Sequence, residues 1–256
     1  MTIHRALAAL ACSALLSSCD KNAVQQLTGP VAGASVKFFN FGVNAPPVNF
    51  FANDLKVTAV LSATGTESTN GTASGGAGSG GFYSALEPGQ YTLAGKISAT
   101  VDKDLAISTV STTLADGKSY SFYISGFYNT TTKTAEGFVV EDAYPAEFDY
   151  TQAYVRFVNA ISNANPMTLY ARNTTTSAEV ALGGAVAYKA GGVFTAVPNG
   201  TYDLFTRYAG VTTNAITRTA VSFSAGRVYT IGARGDITVT STTAATRPQL
   251  DNTANR

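Results

Sequence analysis

The sequence predicts an all-β protein: two tandem Ig-like antiparallel β-sandwich domains that follow a lipoprotein signal peptide. Three observations carry this. Short segments alternate apolar and polar residues with a period of two, the pleat of a strand with one buried face. Turns rich in Gly and Pro separate these segments at regular spacing. No long segment with helical periodicity follows residue 20.

The first element is the signal, residues 1–18. Arg5 supplies a basic start, Ala6–Leu16 an apolar run, and Leu16-Ser17-Ser18-Cys19 the pattern of a bacterial lipobox. The apolar run is shorter than the roughly 20 residues that span a bilayer. Cleavage before Cys19 would leave that sulfur carrying lipid, and two or more acyl chains anchor stably where one is marginal. The expected location is the extracytoplasmic side of a bacterial cell envelope. Asp20 resembles the inner-membrane retention signal of enteric-type bacteria, which other groups do not share. Residues 19–33 read as a tether.

Cleavage also removes chemistry. The chain holds one His and two Cys, and His4 and Cys12 both lie in the signal. A mature chain without histidine builds no Ser-His-Asp triad, Cys-His pair or His-containing metal site, and with Cys19 alone it forms no internal disulfide. Of 17 Lys and Arg against 16 Asp and Glu, cleavage takes Arg5, leaving a formally neutral protein. No basic stripe is available for phosphates, so nucleic acid is not an expected partner.

The next elements are two copies of one module, residues 34–146 and 152–240. Ser35-Val36-Lys37-Phe38-Phe39-Asn40 matches Tyr154-Val155-Arg156-Phe157-Val158-Asn159. Pro47–Ala52 matches Pro166–Ala171, Leu86–Tyr91 matches Val197–Tyr202, and Asp116–Tyr120 matches Ala225–Tyr229. The order is kept, and the spacing drifts only where loop lengths change. In the first block Val36 and Phe38 share one face and Lys37 takes the other; Val155, Phe157 and Arg156 repeat this. Gly89 and Gly200 sit in turns leading into expected strands Tyr91–Lys96 and Tyr202–Arg207. Gly117 and Gly226 do the same before Tyr120–Ile124 and Val228–Ala233. Thr64–Gly81 reads as a mobile glycine-rich insertion of the first copy, Glu141–Tyr150 as a linker, and residues 241–256 as a disordered polar tail.

Val155–Ala160, a proline shortly after, and Val197-Pro198-Asn199-Gly200-Thr201-Tyr202 resemble the bacterial domain-of-unknown-function family 4397. Its members often begin with a VRFVNASPDAP-like strand and carry a VPAGTY-like turn. The second copy matches well. The first, with Val36–Phe41 and its insertion, is a divergent match. The resemblance implies β-sandwiches, frequently in tandem, in envelope or secreted proteins, and transfers no catalytic residue.

Four groups of residues are candidates for chemistry. Glu141, Asp142, Glu147 and Asp149 offer hard oxygen ligands to Ca²⁺, but without an Asp-x-Asp-x-Asp loop they read as a hydrated linker. Asp102 and Asp104 could belong to a carboxylate pair for glycoside hydrolysis, or be solvated turn charges. The glycine run 71–81 lacks the Lys-Ser/Thr of a phosphate loop and leads into an apparent strand at Phe82-Tyr83. The aromatics Tyr120, Phe122 and Tyr123, with Phe38, Phe39 and Phe41, form either an exposed row for sugars or core, with one of each adjacent pair free to cover the neighbouring domain.

No cofactor is implied. The expected function is a non-catalytic binding or scaffold module for a surface polymer or protein partner. The alternatives are a carboxylate-based extracytoplasmic hydrolase such as a glycosidase, and a carbohydrate-binding module.

Overall fold

A computed structural model describes residues 33–255. The signal peptide, Cys19 and nearly all of the tether lie outside them. Among the described residues no helix is long and apolar enough to cross a membrane.

The first copy contains β1 (Ala34–Asn40), β2 (Val48–Ala52), β3 (Leu55–Lys56), β4 (Gly76–Ala77), β5 (Ser84–Leu86), β6 (Gly89–Ile97), β7 (Ala106–Leu114), β8 (Ser119–Asn129) and β9 (Thr134–Glu141). The second contains β10 (Gln152–Asn159), β11 (Met167–Asn173), β12 (Glu179–Ala181), β13 (Ala190–Gly191), β14 (Thr195–Pro198), β15 (Gly200–Tyr208), β16 (Ile216–Phe223), β17 (Val228–Arg234) and β18 (Gln249–Ala254). The expected strands all form inside β6, β15, β8 and β17.

The copies share one topology. Each has a four-stranded sheet, ordered β3-β2-β6-β7 in the first and β12-β11-β15-β16 in the second. Each also has a five-stranded sheet, β4-β1-β8-β9 with β5 on β1, or β13-β10-β17-β18 with β14 on β10. The antiparallel expectation holds for every strand pairing but two: β1 runs parallel to β8, and β10 parallel to β17. Val36, Phe38, Phe50, Leu93 and Phe122 fill one sandwich; Val155, Phe157, Leu169, Leu204 and Phe223 fill the other.

The recurrent tyrosines hold the turns. Tyr91 Oη donates to the Glu87 carbonyl at 3.0 Å, and Tyr202 Oη to Pro198 at 2.8 Å. Tyr120 Oη accepts from the Ala115 amide and Tyr229 Oη from Ser224, both at 3.2 Å. Gly117 (φ 69°) and Gly226 (φ 72°) occupy the left-handed region these turns need.

Three expectations are corrected. Residues 241–256 are not a disordered tail throughout: Gln249–Ala254 pairs with Tyr229–Arg234 of β17 and buries Leu250 to 3% exposure. This strand is the counterpart of β9. With one apolar anchor it shows no alternation, and it forms because an unpaired edge of β17 needs a partner. The insertion 64–81 is tied down at its C-terminal part. Gly76 and Ala77 pair with Asn40 and Phe39, Thr72 bridges Val48, and Asn40 Nδ2 donates to the Thr72 carbonyl at 3.0 Å. Gly71 (φ 53°) lies where a Cβ would come within 2.7 Å of the Val48 carbonyl oxygen. Phe82 and Tyr83 precede β5 and do not belong to it.

The described residues form one compact unit rather than two beads on a linker. Phe39, Phe41, Tyr123 and Phe138 of the first copy pack with Val158 and Ala160 of the second. The outer faces of the two five-stranded sheets therefore meet, and the four sheets stack around three apolar layers.

Candidate functional site: the joint between the two copies

Alternation decides what the joint contains. Since Val36 and Phe38 point into the first sandwich, Lys37 and Phe39 point out of it, towards the second copy. In β10 the same rule sends Arg156 and Val158 outward. Lys37 and Arg156 are each 1% exposed: the cation face of the repeat is an interface, not a solvent face.

Burying a guanidinium demands partners. Arg156 pairs with Asp142 through Nη2, donates from Nη1 to the Glu141 carbonyl at 2.9 Å and from Nε to Thr230 Oγ1 at 3.0 Å. Asp142, 2% exposed, also accepts from Ser121 Oγ at 2.9 Å and from Tyr83 Oη at 2.5 Å. Tyr83 has one proton and gives it to Asp142, so its oxygen accepts from Tyr144 Oη at 2.6 Å and Asn255 Nδ2 at 2.9 Å. Burial and the Asp142 charge push the Tyr83 phenol up, and burial pushes Tyr144 up.

The two cations are related by a local pseudo-twofold. Register pairs Tyr120 with Glu141 and Tyr229 with Ala254, so Ala254 stands where Glu141 stands and Asn255 where Asp142 stands. Likewise Val36 pairs with Ser84 and Val155 with Thr195, which makes Tyr83 the counterpart of Phe194. The contacts follow. Arg156 lies 4.8 Å from the Phe194 ring and donates to the Glu141 carbonyl; Lys37 lies 4.5 Å from the Tyr83 ring and donates to the Ala254 carbonyl. The Asp142 amide donates to Ser119 and the Asn255 amide to Val228, both at 2.7 Å. Such reciprocity is the signature of an isologous interface, here between two halves of one chain.

Outside the shared pattern the halves differ. Among the described residues Lys37 has no carboxylate within ion-pair distance, and desolvation lowers its pKa from 10.5 to about 8 although Asp142 opposes this. Lys118 pairs with Glu141 at 2.9 Å, whereas its counterpart Arg227 has no acidic partner among the described residues, Ala254 standing where Glu141 stands. An open groove of about 480 Å³ runs along this second side, lined by Lys37, Phe82, Tyr83, Arg227, Asn252 and Asn255 among others.

The sequence candidates are distributed as follows. Of the acidic four, Asp142 is in the joint and Glu141 contributes its carbonyl there. Asp149 caps its own turn through Thr151, at 2.7 Å to the hydroxyl. Among the described residues no group of three or more acidic, His or Cys side chains could hold a metal. Asp102 pairs with Lys133 at 2.6 Å on an exposed turn, and both Asp102 and Asp104 have positive φ. The glycine run ends in a 3₁₀ turn, Gly78–Gly81, beside the groove. Tyr120, Phe122, Tyr123, Phe38, Phe39 and Phe41 are all buried. They form no exposed row; Phe39, Phe41 and Tyr123 cover the neighbouring copy, with Tyr123 stacked on Phe39 at 4.6 Å. Sequence reasoning missed Tyr83, Tyr144 and Asn255. One signal was present for the pair: a cation at the same strand position in both copies, on a face that the period-two pattern separates from the core.

No family model and no curated protein matches the chain. A solved structure described as a "putative cell adhesion protein" from Bacteroides ovatus is similar at 12% identity over 88% of this chain and 96% of that one, with a TM-score of 0.23.

Proposed function

We propose that the protein is a non-catalytic binding module of a bacterial cell envelope, held extracytoplasmically by lipid on Cys19 and presenting its two sandwiches as one rigid block. The observation that carries this reading is the assignment of the buried polar chemistry. Asp142, Arg156, Ser121 and Tyr83 saturate one another in joining the copies, and a fully satisfied buried network rigidifies what it joins. The lipobox, the mature chain without histidine and the resemblance to family 4397 point the same way. A rigid block on a tether raises the effective concentration of its binding surface at the membrane.

Two experiments test it. Cys19→Ser should release the protein from the membrane fraction and abolish palmitate labelling; a variant still in the membrane fraction refutes the anchor. Purified protein should retain an envelope polymer or protein in a pull-down without cleaving polysaccharide substrates. Turnover that is lost on substituting a carboxylate would establish the hydrolase alternative instead.

A further inference from the structure

We propose that the open side of the joint is a binding site for an acidic saccharide, whose carboxylates are met by Arg227 and Lys37 on the side where Asn255 stands in place of Asp142. The inference rests on the binding-module reading and names its ligand class.

The pseudo-twofold supplies the reasoning. On the closed side Arg156 meets the buried Asp142 carboxylate in the joint, and Lys118 meets the exposed Glu141 carboxylate on the other face of β9. On the open side the two cations are kept, as Arg227 and Lys37. Both carboxylates are replaced, by Ala254 and Asn255. Among the described residues that line the groove, Lys37 and Arg227 are charged and none is acidic. Lys37 spends one donor on the Ala254 carbonyl and, among the described residues, is buried without a carboxylate partner. A ligand carboxylate would restore the neutrality that the closed side has built in.

The remaining lining selects among anions. Phe82, 76% exposed, offers an aromatic face at the groove. Its counterpart Val193 has no ring to stack. Asn255 Oδ1, on the joint face, accepts no hydrogen bond from the described residues, so a ligand hydroxyl that reaches it would satisfy it. Carboxylates, hydroxyls and a flat apolar C–H face together describe a uronic acid residue, and an oligomer of such residues presents carboxylates at repeating intervals. The wall opposite the last strand is the 3₁₀ turn that only the first copy carries, where Gly81 approaches Thr253 closely enough that a Cβ would lie 3.5 Å from its methyl.

The test is calorimetric titration of short oligogalacturonates into the full-length protein in detergent, with the methyl-esterified oligomer and oligoglutamate as the other arms. Binding should weaken with salt and be absent for the ester. Arg227→Glu and Phe82→Ala alter exposed side chains and leave the joint intact. The first should weaken binding about tenfold and the second about fivefold. Equal affinity for the ester, or no binding of the acid form, overturns the proposal. Oligoglutamate binding as tightly as the uronate, with no effect of Phe82→Ala, overturns it in favour of an acidic peptide. If the doubly substituted protein still retains an envelope polymer in the pull-down, this groove is refuted while the binding-module reading stands. A protein that retains nothing in either assay loses both.

Discussion

The two sides of the joint are the same structure with different chemistry. Arg156 and Lys37 occupy equivalent strand positions, lie over equivalent rings and donate to equivalent carbonyls. Among the described residues only Arg156 pairs with a carboxylate. A buried cation in this fold is thus held by its backbone and aromatic surroundings even where its counter-ion is missing, and the counter-ion decides whether the side is closed or open. The apolar layer shows the same divergence. The first copy presents Phe39, Phe41, Tyr123 and Phe138, and the second answers with Val158, Ala160 and Gly232. Large residues on one half and small ones on the other make the halves fit each other better than themselves.

The comparison breaks most sharply at the cations. Arg156→Met leaves Asp142 buried and uncompensated, and should cost about 3–5 kcal/mol in urea unfolding. Lys37→Met should change stability by about 1 kcal/mol or less, in the stabilising direction, because it removes a buried charge that has no counter-ion. Equal losses at both positions would mean that the asymmetry described here is not energetic. The apolar layer comes next. A Cβ on Gly232 would stand 2.8 Å from Phe41 Cε2, so Gly232→Val should cost about 1–3 kcal/mol by forcing the sheets apart. Pairing it with Phe41→Ala should recover part of that loss.

A smaller effect follows from the depressed Lys37 pKa. Between about 8 and 10.5 the unfolded lysine holds a proton that the folded one has released. The unfolded state therefore binds more protons in that window, and stability attributable to Lys37 rises with pH through it. The expected gain is about 1–2 kcal/mol between pH 8 and 10, measured as the difference between wild type and Lys37→Met. Above pH 10, Tyr83 and Tyr144, whose pKa values are raised, oppose the trend because unfolding frees them to ionise. The smallest effect belongs to the exposed Lys118–Glu141 pair. Glu141→Gln should shift stability by at most about 1 kcal/mol and less at high salt, since Arg156 uses the Glu141 carbonyl and not its side chain.

Much of this was legible in the chain. The repeat blocks fall in β1 and β10, β2 and β11, β6 and β15, and β8 and β17, because strong alternation and Gly turns are local signals. The strand β18 was not legible: Gln-Leu-Asp-Asn-Thr-Ala carries one large apolar residue, and its place is set by a long-range edge. The strand β9 carries Phe138, Val139 and Val140 and closes a short hairpin with β8. The joint was half legible. Lys37 and Arg156 announce a shared second face, but Asp142 stands in an acidic run whose hydrated reading is the ordinary one. Only its position two residues beyond Val140 turns it inward. Tyr83 and Asn255 become partners through tertiary pairing alone.

The Arg156–Asp142 joint should fuse the copies into one cooperative block. Hydrogen exchange across a urea series tests it most directly, following β6 and β15, one central strand from the outer sheet of each copy. Both strands should share one unfolding midpoint in the wild type and have separate midpoints in Arg156→Met. Two well-separated midpoints already present in the wild type would contradict it.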